Sequence, residues 1–156
     1  MSDRVRRSAT LRLEGPIEKV FPLFDPVNEA KWADGWAIEP VWPADGRVET
    51  GMVFTTPAGP GRRAVWALTR LDAEAGEVAY WVWFPDERVQ HVEVACRAAG
   101  DKTEARVSYT LTALSQAGRK AVAAFDADGY ARRMAHWESA INHHLATGGT
   151  LRAHAG

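Results

Sequence analysis

The sequence predicts an α+β domain: a seven-stranded, curved antiparallel sheet wrapped around a long C-terminal helix, with two short helices after the first strand. Two observations carry this. Residues 115–149 are the one stretch with a sustained helical stripe, and almost everything before it alternates apolar and polar residues between evenly spaced turn signals, the pattern of an antiparallel meander. A sheet of that size twists and curls, and a long apolar helix is the natural plug for its concave side.

In residues 4–13, Val5, Ala9, Leu11 and Leu13 share one face and Arg4, Arg6, Ser8, Thr10 and Arg12 the other, which makes a half-buried strand. Arg7 shares the apolar face, where it either reaches back to solvent at the strand end or offers charge to a bound ligand. Gly15-Pro16 closes the strand and opens a short helix with proline at its first position; Ile17, Val20 and Phe21 form its apolar side, and Pro22 stops or bends it. Asp25-Pro26 repeats the sequence of cap and proline, which predicts a second short helix to about Trp32, ended by Gly35. Residues 36–42 alternate, and Pro40 makes them an edge strand because it cannot donate to a ladder.

Residues 51–56 form a short strand, followed by Pro57-Ala58-Gly59-Pro60-Gly61, a mobile loop of pure turn chemistry. Four further strands are expected at 63–71, 77–84, 88–97 and 103–114. In the last two, Val92, Val94 and Cys96 oppose His91, Glu93 and Arg97, while Ala105, Val107, Tyr109 and Leu111 oppose Glu104, Arg106, Ser108 and Thr110. Strand 77–84 is apolar on both sides, with Val78, Tyr80, Val82 and Phe84 on one and Ala79, Trp81 and Trp83 on the other. Periodicity leaves its inward face open. One side lines a pocket and the other offers itself to a partner, such as a second copy of the chain in a homodimer.

At about 100° per residue, Tyr130, Met134, Trp137, Ile141 and Leu145 form a narrow helical stripe, with Ala123 and Ala127 in phase above it. Arg132, His136, Ser139 and His143 make the polar back. Val122 and Phe125 fall out of phase, and Asp126-Ala127-Asp128-Gly129 are poor helix formers, so a kink or break is expected there. Gly148-Gly149 stops the helix, leaving a single domain of residues 1–148 and a loose tail of residues 149–156.

A chain of 156 residues buries a core without staples. Its formal net charge of -1 provides no basic field for nucleic acid or an anionic membrane. The longest apolar run, 78–85, is far short of the ~20 residues of a membrane span. With no apolar signal segment after the basic N-terminus and Cys96 the only cysteine, a soluble, cytoplasmic protein is expected. The histidines, including His154 in the tail, have no metal-ligand spacing, and His91 pairs in phase with Glu93 on an outward face. Cys96 sits among inward apolar residues, where a thiol is inert, and Pro60 removes a donor that a phosphate loop needs. Neither a metal nor a cofactor is expected. The outstanding compositional feature is seven tryptophans, all but Trp137 in the first 83 residues. Such clusters form cavity walls or interfaces as well as ordinary core.

Gly15-Pro16-Ile17-Glu18-Lys19-Val20-Phe21 after the first strand, Gly51-Met52-Val53-Phe54 opening the third, and Thr112-Ala113-Leu114-Ser115 leading into a helix with Trp137 midway are fold markers. Together with the order of elements they resemble the helix-grip fold of the START/Bet v 1-like superfamily, also described as SRPBCC or polyketide cyclase/dehydrase-like proteins. The resemblance implies a cavity between sheet and helix that takes a small hydrophobic or aromatic molecule. Members include lipid and hormone carriers and polyketide aromatase/cyclases, so the fold assigns no catalytic residue.

The expected ligand-binding residues are Trp36, Phe54, Trp66, Trp81, Trp83, Tyr109, Tyr130, Met134 and Trp137. Tyr109 and Tyr130 carry hydroxyls that can orient a ligand carbonyl or phenol, or simply be satisfied within the core. Glu39 and Arg70 are either charges at the cavity mouth or part of a solvated sheet face. Three functions stay open: binding of a small aromatic ligand, a cyclase/dehydrase-like enzyme acting on an aromatic or polyketide substrate, and an interaction module docking through its tryptophan-rich outer strand.

Overall fold

The computed structural model describes residues 2–152. Its strands are β1 (Arg4–Leu13), β2 (Glu39–Trp42), β3 (Val53–Pro57), β4 (Arg63–Asp72), β5 (Glu77–Phe84), β6 (Arg88–Ala99) and β7 (Lys102–Ala113), and its helices are α1 (Ile17–Val20), α2 (Gln116–Ala124) and α3 (Ala127–Thr147). They form one seven-stranded sheet in the order β1-β7-β6-β5-β4-β3-β2, and every adjacent pair is antiparallel.

β1 and β2 follow each other in sequence yet occupy opposite edges of the sheet, so the chain between them must cross it. It does so in short helical turns. α1 tightens into a 3-10 turn over Phe21–Phe24, where Pro22 is the second residue and has no N–H to continue an α ladder. A second 3-10 turn over Asn28–Lys31 is nucleated by Asp25, whose carboxylate accepts from the backbone N–H groups of Val27 and Asn28 at 2.9 and 2.7 Å. The crossing is fixed to the sheet by Tyr80, whose hydroxyl donates to the carbonyl of Phe24 at 2.7 Å, and to α3 by Trp32, edge-on to Trp137 at 5.3 Å.

The expected break in the long helical stretch is a full interruption at Phe125-Asp126. Asp126 caps α3 by accepting from the Gly129 N–H at 2.7 Å, as a short carboxylate does at a helix start. The interruption resets the helical phase, which corrects the expectation for α2: Val122 is its buried apolar side chain, whereas Ala123 and Ala127 are exposed. Along α3 the buried residues are Tyr130, Met134, Ala140 and Ile141, with Trp137 and Leu145 partly buried against the core. α2 lies hard against the β5–β6 turn. A Cβ on Gly118 would stand 1.9 Å from the Glu87 carbonyl oxygen, so this approach requires glycine.

α3 also reaches the outer edge of β1. Glu138 accepts from the Arg12 N–H at 2.6 Å, and Asn142 both accepts from the Glu14 N–H at 2.8 Å and donates to the Arg12 carbonyl at 3.0 Å. β5 turns Val78, Tyr80 and Val82 into the core and leaves Trp81 and Trp83 on the convex face, 47% and 51% exposed. The described part of the expected tail is docked rather than loose: Thr150 donates to the Lys31 carbonyl at 2.8 Å and Leu151 packs against the core. Residues 153–156, His154 among them, lie outside the described residues. Among the described residues no helix is long and apolar enough to cross a membrane.

Candidate functional site

Between the concave face and the helices lies a two-part space. The outer cleft, about 350 Å³, is lined by Trp66 from β4, Phe84 from β5, Arg88 and Gln90 from β6, Tyr109 and Leu111 from β7, Ala121 and Ala124 from α2, the junction residue Phe125, and Arg133 from α3. Behind it an inner chamber of about 20 Å³ is lined by Phe24, Glu29, Trp66, Tyr80, Val92, Val94, Tyr109 and Trp137. Only Trp66 and Tyr109 line both. The two spaces are therefore separated by a pair of rings.

The aromatic walls are mutually braced. Phe54 stacks behind Trp66 at 5.5 Å, with Trp36 edge-on to Trp66 at 5.3 Å. On the other side Tyr109 contacts Phe125, Tyr130 and Trp137 at centroid separations of 6.0, 5.9 and 6.1 Å. Such edge-on and stacked contacts fix ring orientation as well as burying area.

Most polar atoms of this cluster are committed to the protein. Trp32 donates to the Leu23 carbonyl, Trp36 to that of Pro26, Trp66 to the Thr56 hydroxyl and Tyr130 to the Val107 carbonyl, at 2.7 to 2.9 Å. By contrast, the Glu29 carboxyl, the Tyr109 hydroxyl and the Trp137 N–H make no hydrogen bond among the described residues, and none of them is both fully enclosed and unsatisfied. These three retain hydrogen-bonding capacity at the inner chamber. Burial, aided by the negative charge of Asp25 and opposed by Arg133, pushes the Glu29 carboxyl up to about 8, so it is largely protonated at neutral pH and can donate as well as accept. Burial likewise pushes the Tyr109 phenol up to about 12.

No protein-family profile and no curated protein sequence matches the chain; likeness is found among solved structures. Norcoclaurine synthase from Thalictrum flavum, in complex with dopamine and hydroxybenzaldehyde, has a TM-score of 0.67 at 11% identity, over 92% of this chain and 87% of that one. Ara h 8.0201 has a TM-score of 0.67 at 15% identity, over 92% and 99%. DynU16, from the dynemicin biosynthetic locus, gives 0.58 at 15% over 96% of this chain, which spans about half (49%) of the other. The chain has the Bet v 1-like helix-grip fold.

Within that helix-grip frame, three of the nine residues expected at the site, Trp66, Tyr109 and Trp137, line the space itself. Phe54, Trp36, Tyr130 and Met134 belong to the packing around it. Trp81 and Trp83 do not join them. They face away on the convex side, where Trp81 stacks on His91 at 4.4 Å. Glu39 and Arg70 are likewise remote from the space, paired with Arg63 and with Glu77 and Asp72 respectively.

Among the site residues not anticipated from the sequence are Glu29, Arg88, Gln90, Phe125 and Arg133. Two of them left a signal. In a 3-10 turn residues three apart eclipse, so Glu29 shares the inward side of Trp32, which is buried. Arg133 precedes Trp137 by one helical turn and so borders the apolar stripe of α3. Cys96 is buried and its thiol pushed up to about 12 by that burial, and among the described residues no group of His, Cys, Asp and Glu could hold a metal ion.

Proposed function

We propose that this protein binds a small molecule carrying an aromatic ring, in the space between the concave face of the sheet and the α2–α3 pair. The observation that carries the reading is the pair Trp66 and Tyr109, two rings braced from behind and shared by a cleft of about 350 Å³ and the chamber beyond it. Burial against preoriented rings provides affinity at little ordering cost. The helix-grip neighbours support it, since norcoclaurine synthase was solved with dopamine and hydroxybenzaldehyde.

The test is a titration of intrinsic tryptophan fluorescence with a panel of uncharged aromatic polyketides and flavonoids, with fatty acids as the ring-free comparison. Saturable quenching by a ring-bearing class is expected, lost in Trp66→Ala with circular dichroism unchanged. A panel without a saturable response, together with no binding of aromatic acids, overturns the reading.

A second reading, a cyclase/dehydrase-like enzyme acting on an aromatic or polyketide substrate, is favoured by the uncommitted Glu29 carboxyl and Tyr109 hydroxyl at one chamber. A protonated carboxyl and a phenol at a bound carbonyl are what proton transfer at that carbon skeleton needs. Its test is product formation from the quenching ligands, followed by mass spectrometry and abolished in Glu29→Gln.

A further inference from the structure

The outer cleft is cationic as well as aromatic. Arg88 is paired with Glu87, donates to Gln90 Oε1 at 2.8 Å and lies over the Phe84 ring at 3.7 Å. Arg133 enters from the opposite wall, over the Tyr109 ring at 5.0 Å, and makes no ion pair among the described residues. The two guanidinium groups feel each other: burial first, then the charges of Arg133 and Arg62, pull the Arg88 guanidinium below its ordinary range. With Glu87 also shared by Arg62 at 3.7 Å, the cleft holds an excess of positive charge that an anion would relieve.

The inner chamber is aromatic too, but it is lined by an acid and by neither arginine. Its 20 Å³ or so is room for one water-sized group, and the uncommitted Glu29 carboxyl and Tyr109 hydroxyl border it. Trp66 and Tyr109 alone line both spaces, so a flat ring between them has one end in each.

We infer that the site takes a flat aromatic acid bearing a hydroxyl at its far end, with the carboxylate at Arg88 and Arg133, the ring against Trp66 and Tyr109, and the hydroxyl at Glu29. This rests on the aromatic-ligand reading above and assigns the polarity of the ligand. Charge-assisted hydrogen bonds at the cleft supply affinity. The deep carboxyl supplies selectivity, because a ligand without the hydroxyl leaves it unpaired.

Isothermal titration with para-coumarate, cinnamate and methyl para-coumarate separates the two ends. Para-coumarate is expected to bind roughly tenfold more tightly than either of the others, one lacking the hydroxyl and the other the charge. In Arg133→Met the preference for acid over ester falls while the hydroxyl preference remains. In Glu29→Leu the hydroxyl preference is lost while the charge preference remains. Glu29→Gln preserves shape and hydrogen bonding, is expected to keep part of the hydroxyl preference, and stands in if the leucine variant fails to fold. Equal affinity for the three ligands, or binding by none of them, overturns this inference. The aromatic-ligand reading falls only if the neutral panel is blank as well.

Discussion

Arg7 on β1 donates its Nε–H to the backbone carbonyl of Phe125 at 3.2 Å, tying the first strand to the joint between α2 and α3. A helix end leaves carbonyls without partners, and a cation there meets both their hydrogen-bonding need and the negative end of the dipole. The side chain that broke the apolar pattern of β1 thus secures the segment that carries Phe125 into the cleft. Arg7→Met keeps the aliphatic stem and removes the donor. It is expected to cost about 1–2 kcal/mol, read by urea denaturation, and to raise hydrogen exchange at the first amides of α3 more than at those of β6.

Glu29 makes stability depend on pH. Its folded-state value of about 8 lies above the ordinary 4.5, so between these limits the folded state holds a proton that the unfolded state has released. The contribution is complete below about pH 4.5 and declines as pH rises through about 8, by an amount on the order of 3–5 kcal/mol. Urea midpoints for wild type should fall across this window, and those of Glu29→Gln should fall much less. Parallel curves for the two proteins would count against a buried neutral carboxyl.

Gly118→Ala is expected to destabilise by about 1–3 kcal/mol, although alanine is the better helix former. The added Cβ meets the Glu87 carbonyl oxygen, a backbone atom on the β5–β6 turn. Relief requires α2 to lift from that turn, so thermal unfolding should shift down and the affinity of the cleft should change with it.

Trp81→Ser combined with Trp83→Ser should cost less than about 1 kcal/mol, because both rings are about half exposed on the convex face. Ligand-induced quenching should stay saturable, since neither residue lines the cleft or chamber. Sedimentation velocity at rising concentration is expected to show less self-association in the variant than in wild type.

Cys96 should resist iodoacetamide in the native protein at pH 8 and react on unfolding. Its thiol is buried and held near pH 12, and only the thiolate is nucleophilic.

The strands were largely legible because alternation and turn chemistry are local. β1 and β5 have the bounds expected from the sequence, and the other boundaries differ by a few residues. The helical phase was less legible. One interruption at Phe125-Asp126 turns Val122 inward and Ala123 outward, and a periodicity carried through the break cannot register it. The rings of the site were partly visible through their type, but its polar groups were not. Glu29 reads as an ordinary acid in a short turn until Tyr80, Tyr109 and Trp137, from three other elements, close around it. That partial burial is a product of tertiary assembly.

The contacts of Glu138 and Asn142 with Arg12 and Glu14 have a counterpart at the far side of the sheet, where β2 is four residues long, contains Pro40 and loses register before Trp42. An open sheet normally presents two templates onto which another chain can add a strand. Here the C-terminal end of one is occupied by side chains of the protein's own helix, and the other is short and interrupted by a proline. Both margins thus carry a feature that opposes strand addition, and at the β1 margin it is supplied by the same α3 that walls the binding space.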